Sequence, residues 1–514
     1  MNFKVLISAI LASTIAVVGC ETSSDGGAAG SGGGAGSGGT AGSGGTAGSG
    51  GTAGGGGEGG GAGEGGAGGG EGGAGGMPPS AVDCTELPSL DAYMVADVYD
   101  VPPTTDTDCT APIFAAGGTA TDLNARIDLA DNGDVICMAA GTYQMDATIS
   151  ITGPSGVTLK GIGASPDDTV LNFAGPGSGK GIFASTDNVT IENLWVKNTG
   201  DNGIEQDGTA GSVFRKVHVS WDNEDKGMNG AYAVYPTNCE DTIVEFGQMT
   251  DGRDAGIYIG KCGWGDGTDG GIVRYNVVGR NVLGLEAENC QNVRIHDNLV
   301  INNTGGLFAA QQPMEATPSN SGVLVEDNDI WCNNHPNFAT TGVVQIIPVG
   351  SGFIGLAGDG IEVRNNDIQE NDTIAVGMVS NILTCIASGE DCPDPETGQY
   401  PFPYNPYAVS QYIHDNNFVH NGTNADTESD FYPIFLFLGI GTEENPVEEV
   451  IWDGFIAPPG TDDPGICLGA DNTASYRDLS GNQCQMPTSP EDFIGCIALN
   501  STTDTAGRLC DPPM

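Results

Sequence analysis

Residues 293–311 read VRIHDNLVINNTGGLFAAQ. Val293 and Ile295 alternate with polar residues, Asn298 and Asn303 follow, and after Gly305 and Gly306 a second alternating stretch begins. Alternation with period two sends one set of side chains into an interior and the other out. The pattern returns as VTIENLWVKNTGDNGIEQDG from Val189, IVRYNVVGRNVLGLEAEN from Ile272 and VLVEDNDIWCNN from Val323. It returns again as IEVRNNDIQEND from Ile361 and YIHDNNFVHNG from Tyr412, while copies near Val213 and Ile243 keep the strands but lack the first Asn. Copies lie about 22 to 50 residues apart and helix signals are nearly absent, which predicts an all-β parallel β-helix solenoid. Asn at equivalent corners tolerates left-handed backbone and can stack in a hydrogen-bonded ladder. A β-sandwich would give no reason for Asn at the same corner of successive units.

The series GAYAVYP, DAGIYIG, NVLGLEAEN and NNTGGLF, with VIWDG from Val450, resembles exported bacterial parallel β-helix repeat proteins of the pectate-lyase-like superfamily. The resemblance covers about residues 90 to 480. It implies a right-handed β-helix in a group that includes polysaccharide lyases, hydrolases and mannuronan C5-epimerases. Acid-lined calcium sites occur in that superfamily, and some relatives are encoded beside a second exported protein, which implies a protein partner. The resemblance is specific for the fold and leaves the activity open.

Aligning Gly203, Gly230, Gly256, Gly284 and Gly306 as the openings of one strand in successive coils gives an inward column Ile204, Ala231, Ile257, Leu285, Leu307. The next position out is Glu205, Tyr232, Tyr258, Glu286, Phe308, and two further on stand Asp207, Val234, Gly260, Glu288, Ala310. Coils stack about 4.8 Å apart, so aromatic rings and carboxylates alternate on an exposed face, a mixture that suits a glycan. Lys226, Arg253, Asp254, Arg280 and Asn281 fall in the turns before it.

The candidate catalytic set is therefore Asp254, Glu286, Glu288, Arg253 and Lys226, with Glu205, Tyr232, Tyr258, Phe308, Arg280 and Asn281 contacting substrate. Hydrolysis would use a protonated and an ionised carboxyl from Asp254, Glu286 and Glu288. Lyase or epimerase chemistry would need a base and a neutraliser for a uronate: Lys226, Arg253 or Arg280, or Ca2+ held by Asp254, Glu286 and Glu288. Simple glycan binding is the third option, and a non-catalytic, partner-binding solenoid the rival class. The sequence has no close copy of the His motif of mannuronan epimerases, and His218 and His296 read as structural. In the insertion CGWGDGTDGG, residues 262–271, Asp266 and Asp269 lack the calcium-loop consensus, and Trp264 could overhang the groove.

The N-terminus, MNFKVLISAILASTIAVVGC, has Lys4, an apolar run from Val5 to Val18, and Gly19 before Cys20. It reads as an export signal, residues 1–19, and its ending resembles a lipobox, which implies lipidation of Cys20 and an outer-membrane anchor facing the cell surface or periplasm. Residues 20–76 are nearly all Gly, Ser, Thr and Ala, a composition that cannot bury a core and predicts a disordered tether with a reach on the order of 40 Å. Residues 77–150 then read as a cap with the first strands, 151–425 as the β-helix, and 426–514 as a Cys-rich C-terminal cap.

With 16 Lys and Arg against 67 Asp and Glu, the formal charge of −51 excludes nucleic acid as a natural partner. It also suits salty or divalent-rich surroundings. Fourteen cysteines in an exported chain predict disulfides, one cysteine being left over once Cys20 is lipidated. Cys262 and Cys290 share an offset from their column glycines and should pair. Cys385 should pair with Cys392, and Cys467, Cys484, Cys496 and Cys510 should staple the C-terminal region.

Overall fold

The coil of residues 271–288 shows how the repeat folds. Gly271–Arg274, Val277–Gly279 and Leu283–Glu288 are three strands separated by two tight corners. Each pairs in parallel with the same strand one coil on, Val293–His296, Leu299–Ile301 and Gly305–Ala310. The computed structural model describes residues 82–85, 95–104, 108–173, 177–263, 270–313, 321–388, 392, 394, 400, 404–456, 465–469, 473–484, 490–505 and 507–510. The expected export signal, Cys20 and the expected tether, with Trp264, Asp266 and Asp269, lie outside them.

Stacked coils make a three-faced parallel β-helix. Among the described residues the first two faces join into one 20-stranded sheet, because Thr190–Lys197 and Val213–Ser220 run on around the corner between them. The third face is an 11-stranded sheet. Inward residues form columns: Val273, Ile295, Val325 and Val363 from the first face, Val278, Val300 and Ile330 from the second, Leu285, Leu307 and Phe353 from the third. Their burial is the main source of stability.

Asparagine ladders line both corners of the second face. Asn276 Nδ2 donates to Asn298 Oδ1 at 3.0 Å, and the chain continues through Asn328, Asn366 and Asn416 at 2.9 Å each. The other runs Asn281, Asn303, Asn333, Asn371, Asn421 at 3.0 to 3.1 Å. The left-handed residue, however, is the one before each ladder Asn. Tyr275, Arg280, Asp297, Asn302, Cys332, Glu370 and His420 all have φ between 51° and 58°. The turn needs the left-handed residue first, so that the next side chain can reach along the stack.

A column of charges runs outside the first face: Glu192, Arg215, Glu245, Arg274, His296, Glu326 and Arg364 occupy successive coils. Glu245 receives Arg215 at 2.6 Å and Arg274 at 2.7 Å. Glu245→Gln would leave two guanidiniums facing a neutral amide. It should cost about 1–3 kcal/mol in a urea unfolding titration.

The solenoid extends beyond residues 151–425 in both directions. Val135–Met138, Gly141–Met145 and Ile149–Ile151 form the first coil, and Val450–Trp452, Cys467–Gly469, Tyr476–Asp478 and Leu509–Cys510 extend the sheets at the far end. A helix, Ala120–Ile127, covers the first coil, capped by Thr119 with Asp122 and burying Ala120, Leu123 and Ile127. Residues 82–85 and 95–104 do not belong to that cap. They form a strap down the side: Val82 N–H reaches Gln369, Val95 packs with Val277, Leu299 and Ile301, and Lys216 Nζ donates to Thr104.

Disulfides join Cys84–Cys332, Cys109–Cys137, Cys239–Cys262, Cys385–Cys392, Cys467–Cys510 and Cys484–Cys496. The expected Cys262–Cys290 bond is not formed. Cys262 instead pairs one coil back with Cys239, which occupies the same column. Cys290 is a buried thiol whose Sγ donates to the Ile259 carbonyl at 3.0 Å, and burial pushes it up to about 12.

Candidate functional site

The third face carries the predicted column, with one register correction. Glu205, Tyr235, Tyr258, Glu286 and Phe308 stand on successive coils, followed by Ile354. Ala233, not Gly230, matches Gly203 and Gly256, so Tyr235 takes the place expected for Tyr232, Val234 points inward and Thr237 replaces it in the outer column. Tyr232 sits three residues earlier, and the three tyrosines gather: Tyr232 and Tyr235 stack at 4.5 Å, Tyr235 and Tyr258 at 4.6 Å.

The second correction is burial. Tyr258, Glu286, Glu288 and Phe308 are 3%, 2%, 5% and 1% exposed, not a solvated surface. The segment between Asn334 and Gly350 folds over them, placing Phe338, Val343, Val344 and Ile347 against Tyr258, Phe308 and Ile354. Tyr404 closes the far side, its hydroxyl donating to Gln311 O at 2.7 Å. Tyr232, Tyr235 and Asp254 are only half-buried and form the mouth.

Inside the mouth three carboxyls crowd together. Asp254 accepts from Tyr232, and burial raises it to about 7, against the lowering effect of that bond and of Arg253. Burial, then the charges of Asp254 and Glu288, push Glu286 well above the usual carboxylate range, and Glu286 is hydrogen-bonded to Glu288. Tyr258 donates to Glu288 at 3.3 Å. Asp254 Oδ1 and Glu286 Oε2 are buried with no hydrogen-bond partner. Burial and the same carboxylates also raise Tyr232 and Tyr258, and Tyr235 rises to about 12. The cluster can therefore hold a proton at neutral pH and pass it between neighbouring oxygens.

Gly260 sets the geometry of Tyr258. A Cβ there would lie 2.0 Å from Tyr258 Cε1, so the ring lies flat over the glycine. Gly260→Ala should displace the ring from Glu288. If the site turns over substrate, the displacement should cost about 100-fold in kcat/KM.

The other predicted residues are placed differently. Lys226 and Arg280 both pair with buried Asp251, Arg280 at 2.8 Å, and neither reaches the carboxyl cluster. Arg253 stays beside Asp254 but gives its N–H groups to Asn229 O and Thr340 Oγ1, each at 2.8 Å. Asn281 is fully buried in its ladder and does not face substrate. Glu205 lies outside the mouth, held by Lys180 at 2.5 Å and Asn202 at 2.8 Å. His218 and His296 pair with Asp167 and Asp297. Among the described residues no three His, Cys, Asp or Glu side chains are arranged to hold a metal ion. Asp254, Glu286 and Glu288 turn oxygens to Tyr232, to each other and to Tyr258, and leave Asp254 Oδ1 and Glu286 Oε2 over. Sequence reading missed Tyr235 and Asp251; the second tyrosine of AYAVYP, three residues after the first, was the available signal for Tyr235.

No curated protein matches this sequence. Among solved structures, the chain is similar to the A-module of Azotobacter vinelandii mannuronan C-5 epimerase AlgE4, at 15% identity and TM-score 0.37 over 66% of this chain and 91% of that one. An alginate lyase from Paenibacillus sp. str. FPU-7 matches at 12% and 0.32, over 60% and 98%. The Yersinia enterocolitica family 28 exopolygalacturonase matches at 10% and 0.33, over 60% and 75%. These are likenesses of fold alone. Residues 149–321 match the family model described as right handed beta helix region, and the chain is a right-handed parallel β-helix.

Proposed function

We propose that this chain processes a polysaccharide by proton transfer at Asp254, Glu286 and Glu288, as a glycoside hydrolase. One observation carries the reading: two neighbouring carboxyls, Asp254 and Glu286, are both raised, behind a mouth of tyrosine rings. Hydrolysis needs one carboxyl to give a proton and a second to act as base or nucleophile. Lyase or epimerase chemistry is less well served, because Lys226 and Arg280, the cations expected to neutralise a uronate, are paired with Asp251. The body would work as a lipoprotein anchored through Cys20 at the outer membrane.

The roof over Glu286 and Phe308 favours a second reading, a non-catalytic solenoid in which the cluster is structural. The two separate in a screen of the full chain against neutral and uronate polysaccharides. Reducing ends that appear with the parent and vanish in Asp254→Asn support hydrolysis. A rise in unsaturated-uronate absorbance would replace hydrolysis with lyase chemistry. Silence on every substrate would leave the structural reading.

A further inference from the structure

The second face carries its own recess, on a different sheet from Tyr258, Glu286 and Glu288. Two outward columns form its floor: Trp195, His218 and Gln248 on successive coils, and beside them Lys197, Ser220 and Thr250. Further along, the same columns become Val277, Leu299 and Ile301, and there the strap residues Val95, Tyr99 and Val101 cover them. The columns are thus apolar where the chain covers them and polar where it leaves them open. The opening has a volume of about 330 Å3.

Its polar groups are recessed, not spread on a surface. His218, Thr250 and Asp251 are only 7%, 2% and 4% exposed although they line the opening. They are also held in fixed directions. His218 Nδ1 lies 3.0 Å from Asp167 Oδ1, on a turn that overhangs the floor. Trp195 Nε1 donates to Ser220 Oγ at 3.0 Å, and Lys197 bonds Asp222 at 2.9 Å with its ammonium 4.4 Å from the Trp195 ring centre. Arg280 is held by Asp251 on the opposite wall. Preset donors and acceptors, an indole edge and a floor about 10 Å long over three coils suit a run of sugar hydroxyls.

We propose that this recess is a second glycan site, which takes a neutral oligosaccharide across His218, Ser220 and Thr250. Neutral sugars are favoured because every cation of the lining already faces a carboxylate. Asp167, Asp222 and Asp251 would repel an anionic chain in a protein of formal charge −51. The site is independent of the carboxyl cluster and stands whether or not that cluster is catalytic.

The test is calorimetric titration of the full chain with laminari-, cello-, xylo- and manno-oligosaccharides, and with oligogalacturonate. At least one neutral series should bind. His218→Ala and Lys197→Met should each weaken it about tenfold, the loss of one well-placed hydrogen bond. Glu286→Gln should leave it unchanged. Lys197 is part-exposed, so its variant keeps the test open should His218→Ala fail to fold. Absence of any neutral ligand, binding that survives both recess variants, binding that Glu286→Gln abolishes, or binding of oligogalacturonate alone would each overturn the proposal.

Discussion

Replacing Asn303 by leucine should lower the free energy of unfolding by about 3–5 kcal/mol. The side chain fills one rung between two coils and is fully buried. Its Nδ2 donates to Val278 O at 3.1 Å and Asn333 Oδ1 at 3.0 Å, and its Oδ1 accepts the Asn281 backbone N–H and Nδ2, both at 3.0 Å. Leucine has a similar volume but no polar atom, so the Asn281 donors and the Val278 carbonyl lose these bonds in a place water cannot reach. Each such group costs about 1–3 kcal/mol. Asn416→Leu, at the half-buried last rung of the other ladder, should cost less, because water can take over. Urea titrations of both variants check this; equal midpoints would show that the ladder's interior rungs have no special weight.

Glu286→Gln should abolish turnover and yet stabilise the fold above neutral pH. Asp254 is raised to about 7 and Glu286 is also raised, so the native state holds these protons more tightly than the unfolded chain does. The stability they contribute is fully present below about pH 4, where the unfolded carboxyls are protonated. It is lost as pH rises through about 7 for Asp254, and as pH rises through the raised value of Glu286. Gln at 286 removes an ionisation that burial opposes and takes one charge away from Asp254 and Glu288. At about pH 8 the variant should therefore melt on the order of 2–4 °C above the parent, and the gap should close toward about pH 4. Asp251 and Glu326 work in the opposite sense. Their cation partners hold them low, so they lose stability only on acidification toward their depressed values. A variant that loses turnover without gaining stability would mean that Glu286 is not strained by ionisation in the parent.

The fold was legible because period-two strands and corner asparagines are local features. Residues 293–311 alone hold the three strands of one coil and both ladder positions. The Tyr258, Glu286, Phe308 column was also read in its true register. The error came at Gly230, three residues from the matching position, Ala233. Gly230 is a glycine for another reason: a Cβ there would lie 2.0 Å from Asp201 O and 2.6 Å from the Trp221 ring. That one slip hid both Tyr235 and Cys239, since Cys239 follows Ala233 by the offset that Cys262 and Cys290 keep from their own glycines. Burial of the site was not legible, because its roof arrives from residues 334–350, after the site strands in the chain. Nothing in the alternation of Leu285, Glu286, Ala287 and Glu288 signals a lid. The side strap escaped notice similarly, its contacts with Gln369 and Val277 being long-range.

The Cys84–Cys332 bond also decides how the molecule meets mechanical force. Its sequence separation is 248 residues, and the coils that carry Asp254, Glu286 and Glu288 lie inside the covalent loop it closes. A pull applied ahead of Cys84 and resisted at the C-terminal end passes straight from Cys84 into Cys332. Residues 85–331 are bypassed, so neither the carboxyl cluster nor the second-face recess is stretched. Only the chain beyond Cys332 takes the load, and the segment of residues 334–350 that covers the cluster is the first part of it.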